Sequence, residues 1–165
     1  MTLRSFWMSI PLVFLSLIYG NVQAAEDSRD ALKGLKGVRV IVEDINEGVQ
    51  DGLTKDAMRT DVELKLRRAG IPVLSEEEWD KEPGKPLLHI WAVVRQLEGV
   101  GYLYRIDVKM VQKVTLVRSP GVQTWGETWS VGSLNVIPKL KDIRDRIKDS
   151  VDDFVDAYLY VNPRK

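Results

Sequence analysis

Between residues 102 and 117 the chain alternates with a period of two, and no other stretch restricts the possible folds as much. Even positions carry Tyr102, Tyr104, Ile106, Val108, Met110, Gln112, Val114 and Leu116, whereas Arg105, Asp107, Lys109, Lys113 and Thr115 fall on odd ones. Successive side chains of a strand point to opposite faces, so this strand has one apolar and one wet face. That pattern belongs to an antiparallel sheet covered on one side. Residues 87–97 precede it as a strand apolar on both faces, Leu88, Ile90, Ala92 and Val94 against Leu87, Trp91 and Val93, which suits an interior position. Residues 122–131 follow as a third strand, and an unbroken period of two puts Trp125 and Trp129 on one face with Glu127 between them. Glycine-rich turns at 98–101 and 119–121 join the three strands.

Such a sheet needs a cover, and two amphipathic helices can supply it. Thr54 is placed as an N-cap, with Leu53 and Met58 as a hydrophobic staple; Met58, Val62, Leu66 and Ala69 follow at helical spacing, and Gly70 closes the helix. Pro138 suits the first turn of a second helix, whose stripe of Leu140, Ile143, Ile147, Val151, Phe154, Tyr158 and Val161 ends at Asn162-Pro163. Between the first helix and the three-strand unit, residues 71–74 read as a short edge strand with Pro72 at its start, and Ser75-Glu76-Glu77-Glu78 as a capping box that opens a helical turn reaching Trp79. Residues 38–42 form a first strand and 44–52 a loop. The expected fold is α+β: one mixed, mainly antiparallel sheet with two helices packed on one face and the other face open to solvent.

Residues 1–24 have the order of a secretory signal, with Arg4, an apolar run at 6–18 and Val22-Gln23-Ala24 before Ala25. The run is shorter than the roughly 20 apolar residues of a spanning helix. The expected organisation is a signal at 1–24, a flexible lead-in at 25–36 with the small repeat Leu-Lys-Gly, and a single domain at 37–165. The chain contains no cysteine, so neither a disulfide nor a lipid anchor is available, and burial alone must stabilise the fold. Export therefore points to the periplasm or the bacterial exterior, with no stable membrane span after cleavage. With 24 basic and 24 acidic residues, the charge balance argues against a nucleic-acid partner.

No motif calls for a catalyst or a cofactor. His89 is the only histidine, set between Leu88 and Ile90 with no Gly-x-Ser-x-Gly elbow in the chain, and reads as a packed ring. Gly84-Lys85 lacks the upstream glycine and the following Ser/Thr of a phosphate loop. The aspartates at 145, 149, 152, 153 and 156 are interleaved with Lys141, Arg144, Arg146 and Lys148, as on a solvated helix face rather than in a calcium loop. The candidate binding residues are Trp125 and Trp129, a docking platform if exposed as a pair and simply core if buried against the terminal helix, the commoner setting for tryptophan, and Arg105 and Lys109 on the wet face of the middle strand. The function these suggest is a non-enzymatic module that binds an envelope protein or another envelope component, by its open sheet face or by accepting a partner strand at an edge. The alternative is an enzyme or small-ligand carrier with a site between sheet and helices, lined by Trp91, Trp125 and Tyr104.

At Leu64-Lys65-Leu66-Arg67-Arg68-Ala69-Gly70-Ile71-Pro72-Val73, at Asp152-Asp153-Phe154-Val155 and at Val161-Asn162-Pro163, the chain resembles a group of small exported bacterial proteins of uncharacterised function. Its element order is similar to that of the amino-terminal domain of TolB, a periplasmic protein that docks an envelope partner. The motifs are structural ones, so the resemblance implies a fold and an exported setting and assigns no site residue.

Overall fold

The alternating stretch is the third strand of a four-stranded sheet in the computed structural model, which describes residues 28–43 and 53–163. The expected signal and the expected loop at 44–52 lie outside the described residues. The strands are β1 (Arg39–Val42), β2 (Leu87–Leu97), β3 (Gly101–Leu116) and β4 (Ser119–Ile137), lying side by side in that order. β1 runs parallel to β2, and the other pairs are antiparallel, so the fold is α+β with a mixed, mainly antiparallel sheet. The helices are α1 (Lys55–Arg68), the short α2 (Glu76–Lys81) and α3 (Ile143–Val161), the last entered through a 3-10 turn at Leu140–Asp142. None of these helices is long and apolar enough to cross a membrane.

Register decides which side chains share a face. Val40 lies opposite Leu88, Leu88 opposite Met110 and Met110 opposite Trp129; Val42 lies opposite Ile90 and Ile90 opposite Val108. Paired residues project to the same side, so the even positions of β1, β2 and β3 make one continuous inner face. It is buried together with Met58, Val62 and Leu66 of α1 and with Ile143, Ile147, Val151 and Phe154 of α3. Each such side chain contributes roughly 1.5–3 kcal/mol by leaving water. α1 packs against β1 and beside α3, and α3 packs against β3 and β4. Between the helices, Arg144 holds Asp61 with both arms of its guanidinium (Nη2 to Oδ1, 2.9 Å), and Lys65 donates to the Lys148 carbonyl at 2.9 Å.

Local chemistry explains where the helices begin and end. Thr54 Oγ1 accepts from the Ala57 amide at 3.2 Å. Gly70, at φ +76°, lets the Gly70 and Ile71 amides turn back to the Arg67 and Leu66 carbonyls, a Schellman ending that only a residue without Cβ adopts cheaply. Ser75 and Glu78 satisfy each other's backbone amides at 2.8 and 3.3 Å, completing the capping box of α2.

Four details differ from the sequence reading. Residues 71–74 pair through a single Val38–Val73 bridge and form no strand, since Pro72 has no amide to extend the ladder. The β3–β4 turn falls at Val117-Arg118, two residues before the Ser-Pro-Gly, and β4 continues past residue 131 to Ile137. Pro138 precedes the terminal helix and is not within its first turn. From Ser28 onward, the stretch expected to be a flexible lead-in is docked on the end of α3. Leu32 is buried; the Asn162 amide donates to the Leu32 carbonyl (2.9 Å) and accepts from the Gly34 amide (2.7 Å), and the Tyr158 hydroxyl donates to the Leu35 carbonyl (2.7 Å). Two leucines give this polar segment its purchase on the core.

Candidate functional site

The odd positions of β1, β2 and β3 form the outer face of the sheet, and a β-bulge decides which residues of β4 join them. Met110 lies opposite Trp129 but Val111 lies opposite Glu127, so Thr128 is an extra residue with no partner across the ladder. One inserted residue reverses the facing of everything beyond it. Before the bulge, Trp125 is opposite Lys113 on the outer face; after it, Trp129 is opposite Met110 on the inner face. The expected pairing of Trp125 and Trp129 on one face is therefore wrong. Trp129 is 6% exposed and meets Phe154 edge-on, with centroids 5.4 Å apart. Trp125 is 47% exposed and stacks flat on Trp79 of α2 at 6.1 Å.

That stack shows what α2 does. Its Trp79 lies over one end of the outer face, with the Arg39 guanidinium and the Lys85 ammonium each 5.0 Å from a Trp79 ring centroid and Arg39 paired with Glu76 at 3.5 Å. The outer face is thus covered at this end, contrary to the expectation that it is open throughout.

Beyond α2 the face carries paired polar and charged side chains. His89 Nε2 is 2.9 Å from Glu43 Oε1, and Lys109 Nζ is 2.9 Å from Glu127 Oε2 across β3 and β4. Arg105 donates to both oxygens of Asp107, at 2.8 and 3.3 Å, and its guanidinium lies 5.6 Å from the Trp91 ring centroid. Gly132 stands opposite Asp107, where a Cβ would come within 2.7 Å of Oδ1, so the missing side chain makes room for the carboxylate. Glu43, His89, Arg105, Asp107 and Lys109, with Trp91 as an aromatic wall, surround a shallow cavity of about 340 Å3. The hydrogen bond from Lys109, followed by that from Ser130, holds the Glu127 carboxyl below its ordinary range, and the bonds to Asp107 push Arg105 up. None of the six side chains lining the cavity carries a hydroxyl or thiol nucleophile. Among the described residues no cluster of three or more His, Asp or Glu side chains is placed to hold a metal.

Past the ions the outer face becomes apolar. Val93 and Leu134 flank Arg105, and Leu103 lies between Arg95 and Val136. Leu134 is 69% exposed and Val136 is also exposed. Neither a scan against protein-family models nor a search of curated proteins returns a match.

Of the candidate residues, Arg105 and Lys109 meet on the outer face, Trp125 sits at its α2 end, and Trp129 belongs to the core. Tyr104 is buried on the inner face while Trp91 and Trp125 are on the outer one, so these three do not line one site between sheet and helices. Glu43, Leu134 and Val136 were not singled out from the sequence. Leu134 and Val136 alternate with Ser133 and Asn135, a signal that a strand continued past residue 131 would have captured.

Proposed function

We propose that the protein is a non-enzymatic, exported module that docks another component of the cell envelope through the outer face of its sheet. The observation that carries this reading is the exposed Leu134, beside Val136 and next to a row of ordered ion pairs. Docking surfaces combine an apolar centre, aromatic and arginine side chains and a polar rim in this way. Because the ions are already paired, a partner meets a preorganised pattern of charge that selects orientation more than it adds affinity. The reading takes α1 and α3 as joint cover of the inner face, which leaves the outer one to the partner. The exported setting rests on the signal order at residues 1–24.

Capture from a native envelope extract tests it, with the immobilised exported chain as bait. Leu134→Glu should lose the captured partner, and Leu64→Glu, an exposed apolar site on α1, should retain it. Equal capture by wild type and Leu134→Glu would remove the outer face from consideration.

A further inference from the structure

Among the described residues β4 pairs with β3 alone, so alternate peptide groups along its 19 residues face away from their ladder. Natural edge strands are protected by lysines or other charges, by proline or by bulges, and in β4 Pro120 and the Thr128 bulge both lie before the stretch Trp129–Val131. β4 carries one formal charge, Glu127, and no Lys or Arg. Along this free edge runs an open groove of about 740 Å3, bounded by Trp129–Val131 on one side and by Asp153, Asp156 and Tyr160 of α3 on the other.

The charge of the groove is one-sided. Its charged side chains are Glu127, already paired with Lys109, the carboxylates Asp153 and Asp156, and a single guanidinium, Arg29, which lies 4.7 Å from the Tyr160 ring centroid. Elsewhere on α3 the acids are matched: Asp145 with Lys148, Asp149 with Arg146, and Asp152 with Lys65. Asp153 and Asp156 have no ion-pair partner among the described residues. Burial, then the neighbouring Asp156, Asp152 and Asp149, push the Asp153 carboxyl above its ordinary value.

We propose that this groove accepts an extended, basic segment of a partner protein, which adds to β4 as a fifth strand at Trp129–Val131 and lays a Lys or Arg side chain against Asp153 and Asp156. Strand addition beside a helix uses the backbone for affinity and alternate side chains for selection. A second copy of β4 would bring no cation to the groove. Residues 25–27, Ala-Glu-Asp, would bring two more acids. Charge complementarity thus favours a foreign basic strand over a second copy of β4 and over residues 25–27. The groove is a separate surface from the Leu134 patch, and neither requires the other.

Fluorescence anisotropy with the exported chain and labelled model peptides tests the proposal. A peptide of alternating Val and Lys should bind, and one of alternating Val and Glu should not. The double variant Asp153→Asn, Asp156→Asn should weaken binding at least tenfold while keeping the wild-type melting temperature. N-methylation of alternate peptide amides should abolish binding without any change to the protein, and hydrogen exchange on complex formation should slow at residues 129–133. Leu134→Glu should bind the peptide normally, which separates this proposal from the outer-face reading. No binding of the Val-Lys peptide, equal binding of the N-methylated or Val-Glu form, an unaffected double variant, or sedimentation showing β4-mediated dimers would each overturn it.

Discussion

Trp125 and Trp129 lie four residues apart on one strand yet face opposite sides of the sheet, because Thr128 is inserted between them without a partner on β3. The consequence is energetic as well as geometric. Trp129 belongs to a buried aromatic group with Phe154 and Tyr158, while Trp125 keeps half its surface in water and rests on Trp79.

Trp129→Ala and Phe154→Ala should each cost about 3–5 kcal/mol, the range for large core aromatics cut to alanine. Trp125→Ala should cost about 0.5–1.5 kcal/mol beyond its lost area, the value of a stacked pair. Denaturant unfolding of the three variants checks the order. A Trp125 variant as destabilised as the Trp129 variant would mean that the bulge does not separate them.

The Asp61–Arg144 pair ties α1 to α3, and its pH dependence has a definite sign. The hydrogen bond from Arg144 holds the Asp61 carboxyl below its ordinary value, with the charges of Arg144 and Lys148 adding to the effect and burial opposing it. A carboxyl depressed in the folded state stabilises fully above its unfolded pKa, about 3.9. That stabilisation declines as pH falls through this value toward the depressed folded one. Unfolding free energies measured from pH 7 downward should therefore fall more steeply for wild type than for Asp61→Asn. Parallel curves would show that the pair contributes no linkage.

Asn162 fastens residues 28–36 to the end of α3 with bonds to Leu32, Gly34 and Tyr158. Asn162→Ala leaves their backbone groups without these partners, at about 1–3 kcal/mol. Trypsin should then cut after Lys33 and Lys36 faster than in wild type. Unchanged cleavage would mean that Leu32 and Leu35 suffice to hold the segment.

Lys109→Ala breaks an ion pair with Glu127 in which both side chains are partly exposed. Such pairs contribute about 1 kcal/mol or less. A larger loss in thermal unfolding would show that the outer face is more deeply covered than its exposure indicates.

Those features written in neighbouring residues were legible in the sequence. Thr54, Gly70 and the Ser75–Glu78 box mark helix ends through contacts spanning a few positions, and the alternation of Ile106, Val108 and Met110 gives the inner face directly. What depended on distant pairing was not legible. Nothing in the stretch from Val122 to Val131 distinguishes Thr128 as the residue left out of the ladder; only its opposition to β3 does. The capping box announced α2, but the partner of Trp79 is 46 residues further along the chain. Leu32 and Leu35 looked like a polar repeat until Asn162 and Tyr158, more than a hundred residues away, supplied their bonds. In the site, Arg105 and Lys109 were found by their place on the wet face, and Glu43 was missed because it reaches His89 from beyond the end of β1.

The most direct test of the docking account is photocrosslinking in the native envelope, with a photoreactive residue placed at Leu134 in one protein and at Leu64 in another. The account predicts an adduct of one defined mass from position 134 and none from 64. Adducts from both positions, or from 64 alone, would contradict it.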